Sequence, residues 1–160
     1  MNKSHLIGQI LLELEHVFQG AVAAAQRAYD TATDEENEAE NKYDTLGLEA
    51  SYLAHGQSKR VAQCEADLIA FKKLKIVDFT SGLSVATGAL VKVEDEEGAE
   101  QFVFLSPVAG GLKVNFENNE ITLVTPSSPL GKVLSGCVEG DDIEVQLGEG
   151  KVLYQVMVVS

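Results

Sequence analysis

The segment "TATDEENEAENKYDT", Thr31 to Thr45, gathers Asp34, Glu35, Glu36, Glu38, Glu40 and Asp44 around a single Lys42. Carboxylates at this spacing repel one another, and no neighbouring basic run relieves them. Two readings stand. Charge runs usually mark solvated faces, so the segment is a well-hydrated turn; or something outside the chain requires the negative charge. The other reactive side chains form no constellation. His5, His16 and His55 share no metal-ligand spacing with each other or with Cys64 and Cys137, and the two cysteines carry neither a CxxC motif nor a zinc pattern. Cys64 falls on an apolar helical seam and Cys137 follows a short helix, positions that suit packed thiols better than nucleophiles. "VAGG" and "LGEG" read as turns, because neither opens a helix with the Lys-Ser/Thr of a phosphate-binding loop.

Composition narrows the partners. Twelve Lys and Arg against 25 Asp and Glu give a formal charge of −13. That balance argues against autonomous binding to duplex nucleic acid, where phosphate neutralisation supplies most of the affinity, and favours a basic protein partner. With 160 residues and 45% hydrophobic content, the chain can bury one respectable core or two small ones. No run approaches the roughly 20 apolar residues of a membrane-spanning helix, and the start "MNKSHLIGQILLELEHVF" lacks the apolar block and cleavage site of a signal peptide. A soluble cytoplasmic protein with no membrane contact is expected.

The elements that position the acidic segment are two long helices. From Leu6 to about Ala32, apolar residues follow a heptad, with Ile7, Leu14, Ala21 and Ala28 at one position and Ile10, Val17 and Ala24 at the other. A second seam returns through Leu46, Ala50, Leu53, Val61, Cys64, Leu68 and Phe71, broken at Gln57. An antiparallel hairpin roughly 40 Å long, at about 1.5 Å per residue, therefore carries the carboxylates at its tip. Thr33 followed by Glu36 has the capping-box pattern that would start the returning helix. Gly47 and Gly56 each cost about 1 kcal/mol relative to Ala, so the second arm is the softer one near the tip.

After "FKKLKIVDF" the period changes from helical to alternating. "ALVKVE" and "EQFVFL" around "DEEG" form a β-hairpin, "EITLVT" another strand, and "DIEVQL" with "KVLYQVMVV" around "GEG" a second hairpin. Between them Ser128 is an N-cap, Pro129 the first helical residue and Gly136 the stop of a two-turn helix. The fold class is α+β: an N-terminal antiparallel helical hairpin, or coiled coil, in residues 1–77, then an antiparallel sheet domain with one short helix in residues 78–160. The joint falls at 77–83.

The stretch "SPLGKVLSGCVEGDDIEVQLGEGKVLYQVMVV" resembles the C-terminal signature of the Gre transcript-cleavage factors of bacterial RNA polymerase. The match runs through Ser128, Pro129, Leu130, Gly131, Leu134, Gly136, Gly140, Asp141, Ile143, Val145, Gly150 and Tyr154 in order. Helical hairpin, linker and first strands agree with that family in order and length. The resemblance implies an FKBP-like C-terminal domain that docks on the rim of the polymerase secondary channel, with Ser127, Ser128 and Pro129 in the docking surface. It also implies a monomeric factor whose coiled coil threads the channel, reaching the nascent RNA 3′ end and DNA only within the elongation complex.

In the cleavage factors the tip carboxylates help hold a second magnesium ion in the polymerase active site. A weakly held hard cation suits oxygen ligands, and a two-metal site can activate water against a phosphodiester. The family tip resembles Asp-Leu-x-Glu-Asn-Ala-Glu-Tyr. Here Asp34 matches its Asp, and the Glu-Asn pair is either Glu36-Asn37 or Glu40-Asn41, with Tyr43 favouring the latter. The resemblance thus implies Asp34, Glu35 and Glu40 as the residues acting in trans, with Glu36 and Glu38 behind them. Asp34 and Glu40 would share the magnesium, and no intrinsic cofactor is expected. The chain would not be an enzyme but would stimulate the polymerase's own RNA cleavage. The displaced tip pattern keeps open a channel-binding regulator that acts without cleavage. A proline isomerase or chaperone is a remoter alternative, since the second half has few aromatic residues to line such a pocket.

Overall fold

The computed structural model describes residues 1–79 and 82–160. The chain divides into two compact units, one formed by Leu11–Ile69 and the other by Met1–Ile10 together with Ala70–Ser160. Thr80 and Ser81, within the expected joint, lie outside the described residues.

The first unit holds the greater part of two helices, α1 (Lys3–Thr33) and α2 (Leu46–Lys72). Its seam on α1 is the expected heptad: Leu14, Ala21 and Ala28 are buried, with Val17 and Ala24 half-buried between them. The helices run antiparallel. Ala24, Arg27, Ala28 and Thr31 share a groove with Ala50, Leu53 and Gln57, while Val22, Ala25 and Tyr29 share another with Ser58 and Val61. On α2 the seam differs by one step from its sequence reading. Leu46 and Leu53 are exposed, and the buried or half-buried positions are Ala50, Ala54, Gln57, Val61, Cys64 and Leu68. The alternation of four and three residues then continues through Gln57 without a gap. Ala54 takes the place expected of Leu53, and Gln57 fills the position where the sequence reading left a gap.

The second unit contains a six-stranded sheet. Its strands are β1 (Leu90–Asp95), β2 (Glu100–Leu105), β3 (Lys113–Phe116), β4 (Asn119–Val124), β5 (Asp142–Leu147) and β6 (Gly150–Val159), in the order β3-β4-β2-β1-β6-β5. With the short helix α3 (Pro129–Leu134) the architecture is α+β, as the sequence indicates. The sheet is mixed, which corrects the expected all-antiparallel domain: β2 and β4 pair in parallel, from Phe102 opposite Ile121 to Leu105 opposite Val124. The cause is strand β3, which the sequence analysis does not include. It takes the outer edge of β4 through a two-residue turn with both Glu117 and Asn118 at positive φ, and so leaves β4 running alongside β2.

Strand alternation builds two apolar faces. On one, Val91, Val93, Val103, Leu105, Val145 and Val156 close over Leu134 of α3. On the other, Leu90, Phe104, Ile121 and Leu123 are buried, and Phe71 meets Phe104 with ring centres 6.0 Å apart. Lys3 is the unusual member of this unit. It is 9% exposed, its Nζ donates to the Val77 carbonyl at 2.5 Å, and it sits 4.5 Å from the centre of the Phe79 ring. Burial lowers its pKa, against a smaller opposing pull from Asp78. Among the described residues no helix is long and apolar enough to cross a membrane.

Candidate functional site

The acidic loop joining α1 to α2 is built by its own short side chains. α1 continues through Thr33, whose hydroxyl donates back to the Tyr29 carbonyl at 3.0 Å, so Thr33 ends a helix and does not start one. This overturns the capping-box reading of Thr33 and Glu36. Asp34 then turns to extended backbone, and its Oδ1 accepts from the Glu36 amide at 2.9 Å, capping a single 3-10 turn over Glu35–Asn37. The Asn37 side-chain amide donates to the Thr31 carbonyl at 3.2 Å, closing one of the acceptors left open at the end of α1. Ten residues after Asp34, Asp44 performs the second cap. Its Oδ1 accepts from the Leu46 amide and its Oδ2 from the Glu40 amide, both at 3.3 Å. Thr45 supports the start of α2 through a hydroxyl donated to Glu49 at 2.9 Å. An aspartate and a threonine outside the predicted box are thus what begin the returning helix.

Two kinds of carboxylate result. Asp34 and Asp44 are tied to backbone amides, while Glu35, Glu36, Glu38 and Glu40 are exposed. Among the described residues no ion pair and no side-chain hydrogen bond engages those four glutamates. Lys42 lies 4.9 Å from the ring centre of Tyr43, which is 79% exposed. Asp34 and Glu35 share one turn; Glu40 belongs to another, held by Asp44. Among the described residues no group of three His, Cys, Asp or Glu side chains is gathered as a ready metal cage. The donor set nonetheless fits a hard divalent cation in kind, since carboxylate oxygens without internal partners are available to complete a coordination shell supplied from elsewhere. Sequence reasoning counted Asp44 only as one of the clustered charges and missed its capping role; the signal was the Asp44-Thr45 pair directly before an apolar helical run.

The second candidate, Ser127, Ser128 and Pro129, lies between β4 and α3. Ser128 is the N-cap of α3: its Oγ accepts from the Gly131 amide at 3.1 Å and donates to the Thr125 carbonyl at 2.7 Å. Pro129 occupies the first turn, where its missing N–H costs nothing. Ser127 is exposed, with its Oγ 3.1 Å from that of Thr125. The turn is tight enough to dictate a residue type. A Cβ on Gly131 would lie 1.9 Å from the Thr125 carbonyl oxygen and 2.7 Å from its carbon. Asp141 also has a structural place, its Oδ2 accepting from the Val138 amide at 2.9 Å. Cys64 is buried, and Cys137 is half-buried with its Sγ 2.9 Å from the Val133 carbonyl; burial first, and the neighbouring Asp141 second, push the Cys137 thiol up. Both are packed thiols.

No family model matches the chain. It is 30% identical over 138 residues to the transcription elongation factor GreA of Rhodospirillum rubrum, a match covering 85% of this chain and 81% of that protein. A transcription elongation factor GreA from Nitrosococcus oceani is 36% identical over 72 residues, covering 44% of this chain and 40% of that protein. Among solved structures, GreA factor homolog 1 of Thermus thermophilus is similar at a TM-score of 0.40 and 21% identity, with 94% of each chain covered.

Proposed function

Because the chain belongs to the GreA family of transcription elongation factors, we propose that it binds bacterial RNA polymerase and presents its acidic loop to the active site. There it stimulates the polymerase's own cleavage of backtracked RNA. The observation that carries the reading is the partnerless state of Glu35, Glu36, Glu38 and Glu40 at the end of a helical pair. Four exposed anions with no neutralising partner among the described residues are what a site supplying an outside cation would need. A magnesium ion shared with the polymerase would supply the activation of water in a two-metal cleavage. Glu35 and Glu40 offer free oxygens to that shell. Asp34 offers its Oδ2 while its Oδ1 holds the turn that carries Glu35. Asp44 holds the turn that carries Glu40. The sheet domain docks through Ser127, Ser128 and Pro129, and the factor itself catalyses nothing.

A transcript-cleavage assay on backtracked complexes tests this, with wild type and an Asp34→Ala/Glu40→Ala variant. Shortening of RNA by wild type, lost in the variant while polymerase binding is kept, is the expected result. The second reading, a channel regulator without cleavage, rests on the Asp34 cap: one oxygen of the carboxylate that best matches the family Asp is committed to backbone. Competition with an authentic cleavage factor, unchanged by the double substitution and accompanied by no RNA shortening, would select it.

A further inference from the structure

The sheet face that buries Leu90, Phe104, Ile121 and Leu123 continues across β6 and β5, and there it is open. Alternation places Leu153 and Gln155 of β6 on this face. A β-bulge then adds a residue: Lys92 lies opposite Val158 and Val93 opposite Val156, so Met157 has no counterpart on β1. Met157 and Val158, adjacent in sequence, are both exposed as a result, and Leu153 is exposed further back along the strand. The solvated face of a sheet ordinarily carries polar side chains, and bulges are retained where a strand must re-aim one.

Between these apolar positions the face is acidic, and its own cations are already engaged. Lys92 Nζ is 2.5 Å from Glu100, and Lys151 Nζ is 2.6 Å from Glu144. Glu94 and Asp142 flank Gln155 from the strands on either side, each directly opposite it. Among the described residues neither carboxylate has an ion pair. Glu94 also stands directly opposite Glu100 on β2, an arrangement of like charges that weakens strand pairing. With neighbouring strands about 4.8 Å apart, Glu94 and Asp142 are separated by about 10 Å at the backbone. Both line a cleft of about 320 Å³, together with Leu153 and Gln155, that has room for one long side chain.

The charge of −13 makes a nucleic acid, an anionic membrane surface or a second copy of this chain a poor occupant. Along β6 the order is apolar at Leu153, flanked by carboxylates at Gln155, and apolar again at Met157 and Val158. Its complement is a chain that presents one cation between two apolar side chains. Arginine suits it better than lysine, because its planar fork can bond carboxylates on two sides while its stem lies on apolar surface. We infer that this open face of β6 is a docking site for a protein segment with an arginine between two apolar residues. The arginine enters the cleft between Glu94 and Asp142, and its neighbours cover Leu153 and the Met157–Val158 bulge. The site is separate from the turn before α3: β6 is three strands away from β4, and Glu94 faces the start of β2, whereas that turn follows the end of the parallel strand β4. The inference does not depend on the cleavage reading.

Amide NMR of the full chain tests this with three capped peptides. The first has the sequence Ser-Leu-Ser-Arg-Ser-Leu-Ser, which in an extended chain puts both leucines and the arginine on one side. The second replaces its arginine by glutamate, and the third replaces both leucines by serine. Saturable shifts at Glu94 and at residues 153–158 are expected with the first peptide, and binding about tenfold weaker with either control. Glu94→Gln and Val158→Ser, each checked for folding by its melting temperature, should weaken the first peptide by a similar factor; the wild-type shift map stands even if a variant fails to fold. Absence of shifts overturns the site, and so do shifts confined to the acidic loop at 34–44. Equal binding of the serine–arginine peptide would show attraction by charge alone and also overturns it, as does unchanged affinity in both folded variants.

Discussion

Gly131→Ala is the substitution on which steric and propensity arguments disagree in sign. Residue 131 lies in α3, and Ala is the better helix former by about 1 kcal/mol, so propensity alone predicts a stabilised sheet domain. Geometry predicts the reverse. Carbon atoms are comfortable at about 3.5–4.0 Å, whereas the added methyl would stand 1.9 Å from the Thr125 carbonyl oxygen, 2.7 Å from its carbon and 2.9 Å from Ser128 Oγ. These neighbours are backbone and a capping hydroxyl, not the loose end of a long side chain, so the turn itself must move. Overpacking of that kind costs about 1–3 kcal/mol. The movement would also strain the Ser128 cap, which links the Thr125 carbonyl to the Gly131 amide and is itself worth about 1 kcal/mol. Setting the propensity gain against these, the net destabilisation is about 1–3 kcal/mol. Urea unfolding followed by far-ultraviolet circular dichroism reads it: with a slope of about 1 kcal/mol per molar for a small domain, the midpoint of the sheet transition falls by about 2 M. An unchanged or raised midpoint would refute the close approach of Gly131 to Thr125.

Asp44→Ala leaves the Glu40 and Leu46 amides without their acceptor. A local loss of about 1 kcal/mol is expected, read as faster amide exchange at the two positions, with that of Glu36, capped by Asp34, unchanged. Two groups give the alkaline stability opposite slopes. Lys3 titrates below its ordinary 10.5 when folded, so between the folded and unfolded values the native state holds fewer protons and stability rises with pH. Cys137 titrates above its ordinary 9.0 when folded, so its contribution is complete below 9.0 and is lost as pH rises through the folded value. Stability curves of Lys3→Met and Cys137→Ser, each subtracted from wild type, should show these two slopes separately. A subtraction of the wrong sign refutes the corresponding burial.

Periodicity made the architecture legible. The α1 heptad survives as a seam from Leu14 to Ala28 because a helix of that length fixes its phase by many repeats. The α2 seam slipped from Leu53 to Ala54 because Gly47, Gly56 and Gln57 dilute the pattern near its start, and an exposed leucine resembles a buried one in sequence. β3 went unread because four residues, Lys113–Phe116, give only two alternations, and its positive-φ turn is made by Glu117 and Asn118, not the Asn-Gly that signals a hairpin most strongly. Pro129 and Gly136, by contrast, mark α3 by conformational restrictions that few other contexts satisfy.

Within the acidic loop the physical distinction is one methylene. An aspartate side chain is short enough to bond backbone amides two residues on, as Asp34 does to Glu36 and Asp44 to Leu46. A glutamate at the same place reaches past its own turn and stays in solvent unless something meets it. In "DEENEAENKYD" the aspartates at the two ends therefore shape the loop, and the four glutamates between them are left to whatever lies outside. Sequence presents all six as one charge cluster, because formal charge does not record side-chain length. The proposed cleavage role separates along the same line. Replacing Glu40 by Gln removes charge but keeps a turn that Asp44 still holds, whereas replacing Asp44 by Asn keeps every glutamate and loosens the turn that aims one of them. If cleavage depends on a placed carboxylate, both changes lower it, and Asp44→Asn does so while the loop's charge falls by no more than in Glu40→Gln. If cleavage depends only on the total charge of the loop, the two variants are indistinguishable from Glu38→Gln.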